Sequence, residues 1–158
     1  MHIISPRCII RPFQPHEIDS FMVYRNDASW MKYQGFKGLT KEDYETALLG
    51  VLTLTRGIQL AIVNKLTQVL IGDIYLRQQG EVFWLGYTIS PAYARQGYAI
   101  EAITATIDWI KGNGFSIIKA GVDPENTLSI KLLIGIGFHF SGIEEGEHIY
   151  VLDLTKGE

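Results

Sequence analysis

The chain has 158 residues, 47% hydrophobic and 20% charged, a composition typical of a globular protein that can bury one sizeable core. Its net charge of −3 excludes the overall basic field that draws proteins to nucleic acid or anionic lipid, although local backbone amides can still bind phosphate. No repeat or Pro/Ser-rich linker divides the sequence, which predicts a single domain over residues 1–158.

The cysteine and histidine residues indicate the cellular compartment and whether a metal site is expected. Cys8 is the only cysteine, so a disulfide within the chain is impossible and a reducing compartment is indicated. The first residues lack the apolar core of a secretory signal, and no apolar run is long enough to span a membrane. The four histidines show no metal-ligand spacing. We therefore expect a cytoplasmic protein without metal, membrane or nucleic-acid partners.

The first part of the chain predicts one strand and two helices. Residues 7–13 form the expected strand, and apolar residues recur at helical spacing over residues 16–24. Thr40 and Asp43 form a capping-box signature that opens the second helix. This helix is expected to run to residue 55 or 56, with Gly57 as its stop.

The remainder predicts strands followed by alternating helices and strands. The runs IQLAIVN, VLIGDIYL and EVFWLGYTIS favour an antiparallel meander. A helix then begins near Gly97 and ends at residues 112–114. The run SIIKAGV predicts a buried strand, LSIKLLIGIGF a helix ending at Gly137, and HIYVLDL a final strand or hairpin after a turn at Glu145. This order indicates an α/β sheet of mixed direction, not a doubly wound dinucleotide fold.

The segment between residues 85 and 102 carries the strongest chemical signal. A strand stops at Pro91, a short loop follows, and an amphipathic helix begins near Gly97. Free amides from Arg95 to Ala99 and the helix dipole favour an anion at this point, and glycine lets a ligand approach the backbone closely. The pattern is suited to a pyrophosphate, although a glycine at a helix start can also be only a turn.

This segment resembles the acetyl-CoA-binding motif of the GNAT acetyltransferases. The resemblance is closest to the ribosomal-protein N-terminal acetyltransferase branch, through a GY pair, a strand-ending proline and a GYA-x-EA helix start. An N-x-x-S element at residues 126–129 and the pair Gly137-Phe138 support it. The resemblance implies the GNAT fold, a mixed, mostly antiparallel sheet flanked by helices, with two strands splayed at the cofactor site. Those strands are expected at residues 83–90 and 117–122.

The same resemblance implies acetyl-CoA as a co-substrate and transfer of its acetyl group to a primary amine by direct attack. A backbone amide near residues 87–89 is expected to contact the thioester carbonyl, so no side-chain nucleophile is required. The expected cofactor contacts are Tyr87, Thr88, Ile89, Ala94, Arg95, Gln96, Gly97, Tyr98, Ala99, Asn126 and Ser129.

The phosphate loop departs from the family pattern at two positions. Ala94 stands where the family usually has Arg or Gln, and Arg95 stands where a glycine is common. Arg95 either donates a charged hydrogen bond to phosphate or points into solvent. Backbone amides are expected to hold the cofactor in either case.

Two further departures concern the acid and the base. Trp84 replaces a carboxylate that many relatives use as general base, and Glu81 falls on the opposite face of the strand by alternation. Leu133 replaces a tyrosine that many relatives use as general acid. Ser129 is then the candidate catalytic residue, hydrogen-bonded to the CoA sulfur, or else a serine that satisfies local backbone. Asn126 is also a candidate helix cap.

The acceptor is expected to bind near the first two helices and the loop between them. An aromatic-lined pocket there favours an apolar or cationic acceptor, with ordinary core packing as the alternative. Asp27 and Glu42 are candidates to hold an ammonium group, or are helix-end charges. A peptide α-amine, a polyamine and a small-molecule amine all stay open, and homodimers are common in the family. The predicted pocket residues are Tyr24, Trp30, Tyr33 and Trp84.

A second class of function is a non-catalytic acetyl-CoA-binding sensor or interaction module of the same fold. The replacements at Trp84 and Leu133 keep it open. A dinucleotide-binding redox domain has little support, because no G-x-G-x-x-G follows an early strand.

Overall fold

The computed structural model describes residues 1–155, which contain eight β-strands and four α-helices. None of these helices is long and apolar enough to cross a membrane. The helices are α1 (Ile18–Arg25), α2 (Lys41–Leu49), α3 (Tyr98–Gly112) and α4 (Thr127–Ile136). The strands are β1 (Ile3–Ile4), β2 (Cys8–Pro12), β3 (Ile58–Asn64), β4 (Leu70–Gln79), β5 (Val82–Ile89), β6 (Ile117–Val122), β7 (His139–Glu144) and β8 (Glu147–Asp153).

All eight strands lie in one sheet in the order β1-β2-β3-β4-β5-β6-β8-β7. Neighbours within the described sheet run antiparallel except β5 and β6, which run parallel and are joined by α3. This mixed, mostly antiparallel arrangement confirms the predicted fold class. The parallel pair marks the place where the site is found.

Helices cover both faces of the sheet, which explains why β3 shows no polar alternation. Leu60 and Ile62 belong to the core beneath α3 and α4, whereas Ala61 and Val63 belong to the core beneath α1 and α2. The four consecutive residues Leu60–Val63 are therefore all buried, alternately on one side of the sheet and the other. The sheet forms the middle of three layers.

Local chemistry sets the ends of the two helices nearest the site. Gly97 caps α3 with φ +80, a left-handed conformation that favours glycine, and Gly114 follows its end with φ +90. The Asn126 side chain accepts a hydrogen bond from the Ser129 backbone at 3.3 Å and so caps α4. Gly137 (φ +125) ends that helix as predicted.

Helix α2 is shorter than predicted. The capping box forms, since the Thr40 hydroxyl accepts a hydrogen bond from the Asp43 backbone at 3.2 Å. The helix nevertheless ends at Leu49, and residues 50–57 lie outside it. Leu52 and Leu54, which extended the apolar pattern, pack against the core beneath α3 and α4 instead. The prediction of a helix to residue 55 or 56 was therefore wrong.

Two strands at the sheet edges were not predicted as separate elements. β1 has only two residues, too few for a pattern. β7 forms a hairpin with β8 through the turn at Glu145–Gly146, which is the hairpin alternative for the final strand. Its side chains are largely exposed, Phe140 and Ile143 among them, so it has no buried alternation that would reveal it.

Cys8 is a packed core residue of β2. Its side chain is fully buried. Burial raises the pKa of the Cys8 thiol to about 11, so it stays protonated at neutral pH.

Candidate functional site

The site begins where the parallel strands β5 and β6 separate. They pair only at Val82–Trp84 and Ile117–Lys119. Beyond that point β5 stays paired with β4 as far as Ile89, while β6 stays paired with β8 as far as Val122. The facing edges of β5 and β6 are therefore unpaired over the rest of their length. This is the predicted splay.

Backbone groups of β5 point into the opening. The Ser90 backbone N–H donates to the Ile71 carbonyl on the β4 side at 2.8 Å. Because hydrogen bonding alternates along an antiparallel ladder, the N–H groups of Tyr87 and Ile89 point the other way, into the gap. The Ile89 carbonyl already accepts a hydrogen bond from the Trp30 indole at 2.9 Å. Two amides on this edge are thus positioned to meet a ligand.

A cleft of about 570 Å³ lies over this edge, between the loop after α1, the start of α3 and the start of α4. We call it the main cleft. Its charged lining residues are Lys32 and Arg95, both cationic, and it contains no acidic side chain among the described residues. The remaining lining is mostly aromatic and aliphatic.

The head of α3 presents unpaired amides to the main cleft. The first hydrogen bond of the helix runs from the Glu101 N–H to the Gly97 carbonyl at 3.1 Å. Within residues 1–155, no group accepts a hydrogen bond from the backbone N–H groups of residues 95–100. Left-handed backbone at Arg95 (φ +61) and Gly97 (φ +80) bends the loop. Amides, helix dipole and cationic side chains together are suited to a phosphate or pyrophosphate.

A salt bridge from the N-terminal segment braces this loop. The Arg7 guanidinium contacts Glu101 at 2.7 Å, donates to the Gln96 carbonyl at 3.0 Å, and lies 4.0 Å from the centre of the Tyr98 ring. Ser5 and the Arg7 backbone N–H also donate to Glu101. Burial opposes ionisation of Glu101, but these hydrogen bonds outweigh it and lower the pKa of the carboxyl group. Arg7 lies 94 positions before Glu101 in the chain, so sequence spacing gave no sign of this salt bridge.

The Arg7–Glu101 interaction predicts a pH-dependent stability difference between wild type and the variant Glu101→Gln. A carboxyl group whose pKa is lowered by folding stabilises the protein above its ordinary pKa, near 4.3, and loses that effect as pH falls through the folded value. We expect Glu101→Gln to be less stable than wild type at pH 7 and the difference to shrink below about pH 4.3. Urea unfolding of both proteins at pH 7 and at a pH below about 4.3 measures this difference in stability. A difference independent of pH would contradict it.

A second cleft of about 420 Å³ lies on the opposite face of β5, beside α1 and α2. Gln34 and Tyr87 line both clefts, so the two approach each other at the splay. Gly86, Gln59 and Tyr75 line the second cleft, and no acidic residue or histidine lines it within the described chain. The arrangement allows two reactants to meet from opposite sides of β5.

A hydroxyl pair stands where the clefts approach each other. The Tyr87 hydroxyl lies 2.8 Å from the Ser129 hydroxyl, which comes from the first turn of α4. Burial raises the pKa of the Tyr87 phenol, and the bond to Ser129 opposes this in part. Asn126 lines the same cleft while capping α4, so the two alternatives for this residue are compatible.

A buried charged network supports β5 from beneath, and sequence reasoning missed it. Arg25 and Asp73 form a 2.7 Å salt bridge, with side-chain exposures of 4% and 0%. The Tyr24 hydroxyl donates to Asp73 at 2.5 Å, and the Gln59 side-chain amide donates to Asp73 at 2.7 Å. Arg25 also donates to the Thr88 hydroxyl at 3.2 Å. A charge inside an apolar strand, Asp73 in VLIGDIYL, was the available signal.

Nearly all of the predicted cofactor contacts come together in the main cleft. Gln96 is the exception, because it does not line the cleft, its side chain lies 3.4 Å from the Ala92 carbonyl and its own carbonyl accepts from Arg7. Within the described chain, the Arg95 side chain has no partner. The residues that do line the cleft are Tyr87, Thr88, Ile89, Ala94, Arg95, Gly97, Tyr98, Ala99, Asn126 and Ser129.

None of the four predicted acceptor-pocket residues lines the second cleft, and two of them line the main cleft. Trp30 and Tyr33 line the main cleft. Tyr24 is 1% exposed and its hydroxyl is bound to Asp73, so it belongs to the core. Trp84 lines neither cleft: it stands at the paired end of β5, between Arg77 and Lys119, and donates to Gln79. Trp84 therefore lies away from both clefts, although it was predicted to line the acceptor pocket.

The acidic candidates and Leu133 all lie outside the two clefts. Asp27 and Glu42 line neither cleft, and Asp27 accepts a hydrogen bond from the Trp30 backbone at 3.1 Å. Glu81 is exposed in the β4–β5 turn. Leu133 is 1% exposed in the core beneath α3 and α4, so an apolar side chain fills the position of the absent tyrosine.

Comparison with known proteins agrees with this geometry. Residues 7–139 match the family model described as an acetyltransferase (GNAT) domain. Among curated proteins, the uncharacterized N-acetyltransferase YnaD of Bacillus subtilis is 28% identical over 145 residues, covering 90% of this chain and 85% of that protein.

Solved structures resemble the whole described sheet. An acetyltransferase of the GNAT family from Bacillus anthracis superposes with a TM-score of 0.85 at 25% identity, covering 99% of this chain and 100% of that one. The ribosomal alpha-N-protein acetyltransferase RimL, in complex with coenzyme A, superposes with a TM-score of 0.82 at 13% identity, covering 98% of each chain. At 13% identity, the similarity to RimL shows a shared fold and nothing further.

Proposed function

This chain belongs to the GNAT acetyltransferase family and is an N-acetyltransferase, and we propose that acetyl-CoA is its acetyl donor and a primary amine its acceptor. The proposed acceptor is a protein N-terminus or a small-molecule amine. The observation that carries the proposal is the row of unpaired amides at the head of α3, next to the free edge of β5. RimL, which shares the fold, is described in complex with coenzyme A.

The main cleft is the proposed binding site of the donor. The amides of Arg95 and of residues 97–99 would hold the pyrophosphate, with Arg95 and Lys32 supplying positive charge. The N–H groups of Tyr87 and Ile89 would run along the pantetheine arm and polarise the thioester carbonyl. No side chain has to move for these amides to act, because the strand holds them in place.

The proposed reaction is direct attack of a neutral amine on the thioester carbonyl carbon. The amine would approach through the second cleft and meet the thioester near Tyr87 and Gln34, which border both clefts. Among the described residues that line the clefts, none is an Asp, Glu or His. Water is therefore the proposed acceptor for the proton that the amine loses.

The charges around the clefts bear on the class of acceptor. Arg25, Lys32 and Arg95 line them, and Asp73 is already saturated by Tyr24, Arg25 and Gln59. A polyamine brings several positive charges and would find no free carboxylate there. A peptide α-amine or a singly charged small amine fits this lining better.

This mechanism predicts a simple dependence of rate on pH. With saturating acetyl-CoA, kcat/KM for the acceptor should rise about tenfold per pH unit up to the pKa of the amine itself, which for an α-amine is about 7.7–8.0. The reason is that only the neutral amine attacks. Initial rates between pH 5.5 and 9.5, with two amines of different pKa, measure it. A midpoint that stays the same for both amines would indicate a titrating protein base and contradict the mechanism.

Release of free CoA tests the function directly. The protein is incubated with acetyl-CoA and, separately, a peptide with a free α-amine, a polyamine or a small aromatic amine, and the thiol released is measured with a thiol reagent. We expect amine-dependent release that is fastest with the peptide or the small amine. Tight binding of acetyl-CoA without release for any amine would favour the sensor alternative.

A further inference from the structure

The Tyr87–Ser129 pair is the only hydroxyl–hydroxyl side-chain contact that the described residues place between the two clefts. Tyr87 comes from the free edge of β5 and Ser129 from the first turn of α4, so the pair spans the splay. Ser129 is 8% exposed and has no other side-chain partner within residues 1–155 except the Asn126 cap on its backbone.

The direction of this hydrogen bond follows from acidity. A phenol has a pKa near 10 and is a far better proton donor than an aliphatic hydroxyl. Either oxygen can donate at this distance; acidity favours Tyr87 as the donor, with the Ser129 proton then directed away from Tyr87. Burial raises the pKa of Tyr87, so the phenol is protonated at neutral pH.

We propose that Tyr87 is a positioning residue that holds Ser129 so that the serine hydroxyl donates to the departing sulfur of the acetyl donor. The inference rests on the proposed function and extends it by naming the partner of the catalytic serine. It places the acid function on β5 and the first turn of α4, one helical turn before Leu133, where a core leucine leaves no proton donor.

The chemical step is transfer of the acetyl group from sulfur to the amine nitrogen. The amine nitrogen bonds to the acetyl carbon, the carbon–sulfur bond breaks, and its electron pair goes to sulfur. Ser129 gives its proton to sulfur, Tyr87 gives its proton to Ser129, and water restores the proton of Tyr87. The proton that the amine loses goes to water, so no net charge accumulates on the protein.

The first test compares Tyr87→Phe with Tyr150→Phe. Tyr150 is a tyrosine of β8 that is 5% exposed, lines neither cleft and has no hydrogen-bond partner for its hydroxyl among the described residues, so it controls for removal of a phenol hydroxyl away from the site. We expect Tyr87→Phe to lower kcat about tenfold, the effect of one hydrogen bond, and to change the Kd of acetyl-CoA by less than about twofold. Tyr150→Phe should leave both unchanged. A weaker Kd with an unchanged kcat would overturn the proposal, because Tyr87 would then be a binding contact only.

A double-mutant cycle tests whether the two hydroxyls act in series. If Tyr87 acts through Ser129, Tyr87→Phe combined with Ser129→Ala is no slower than Ser129→Ala alone. Rate losses that multiply would mean independent roles and would overturn the proposal.

A third measurement needs no amine, so it separates this inference from the proposed function. The thiol of bound coenzyme A is titrated by the ultraviolet absorbance of its thiolate. Because Ser129 would stabilise the thiolate, the midpoint should be about one pH unit lower in wild type than in Tyr87→Phe. Such a difference without turnover for any amine would sink the proposed function alone. Normal turnover with equal midpoints and equal kcat would sink this inference alone.

Discussion

Replacing Gly97 with glutamate is expected to weaken acetyl-CoA binding by at least about 100-fold while the protein stays folded. The glutamate would bring a negative charge to the unpaired amides at the head of α3 and compete there with the pyrophosphate. Each lost charge-assisted hydrogen bond costs about 1.5–3 kcal/mol, and 1.4 kcal/mol is a tenfold change in Kd. Calorimetric titration with acetyl-CoA measures the loss.

The fold should survive this substitution. A Cβ at Gly97 would meet only the Arg7 guanidinium, at 3.5 Å, which is ordinary contact. The left-handed backbone (φ +80) adds strain of about 1–2 kcal/mol for a residue with a side chain. Circular dichroism would verify that the variant is folded before binding is measured.

Gly114 offers a matched control at the other end of α3. It also has left-handed backbone (φ +90), and no atom lies within 4 Å of an added Cβ. Gly114→Glu therefore introduces the same charge and comparable strain far from the unpaired amides at the head of α3, and we expect it to bind acetyl-CoA like wild type. If both variants lose affinity equally, backbone strain rather than competition at these amides explains the effect. If wild type does not bind acetyl-CoA, the proposed donor is wrong.

The second large effect is expected on stability, from Asp73→Ala. The substitution removes the partner of Arg25, which is 4% exposed, and leaves an uncompensated charge in the core. It also removes the hydrogen-bond acceptor of Tyr24 and Gln59. Breaking a buried pair in this way costs about 3–5 kcal/mol. Urea unfolding, followed by fluorescence, gives the loss in the free energy of unfolding.

An exposed salt bridge provides the comparison. Asp19 contacts Lys41 at 3.0 Å, but these side chains are 77% and 51% exposed. Asp19→Ala also removes one carboxylate from an ion pair, and we expect it to cost about 1 kcal/mol or less. Similar losses for Asp19→Ala and Asp73→Ala would contradict the argument that burial makes the difference. Asp73→Asn, which keeps the shape and loses the charge, should fall between wild type and Asp73→Ala.

The elements that sequence reasoning placed well are those whose signal is local. Residues 58–64 form a strand over the predicted range, because a short apolar run that contains β-branched residues and is followed by a polar turn favours an extended conformation. The head of α3 was located from the strand-ending proline and Gly97, since backbone conformation is set by neighbours in sequence. The predicted end of α2 failed because Leu52 and Leu54 continued an apolar pattern while belonging to another core.

The residues misplaced by sequence reasoning are those whose role depends on distant partners. Alternation along β5 indicates the face on which Trp84 lies, but nothing in the strand says where β6 departs from it. The departure comes after Trp84, which leaves this side chain at the paired end and opens the cleft beside Tyr87.

The sequence by itself determined six of the eight strands, the position of the head of α3 and the family resemblance, because each depends on residues close together in the chain. Only the tertiary structure decided which charges pair, Arg7 with Glu101 and Arg25 with Asp73, since those partners lie tens of positions apart and side-chain chemistry alone fits many pairings. It also brought the hydroxyls of Tyr87 and Ser129 within 2.8 Å, because the first turn of α4 lies beside the open edge of β5. Proximity of this kind is a property of packing, which no local pattern encodes.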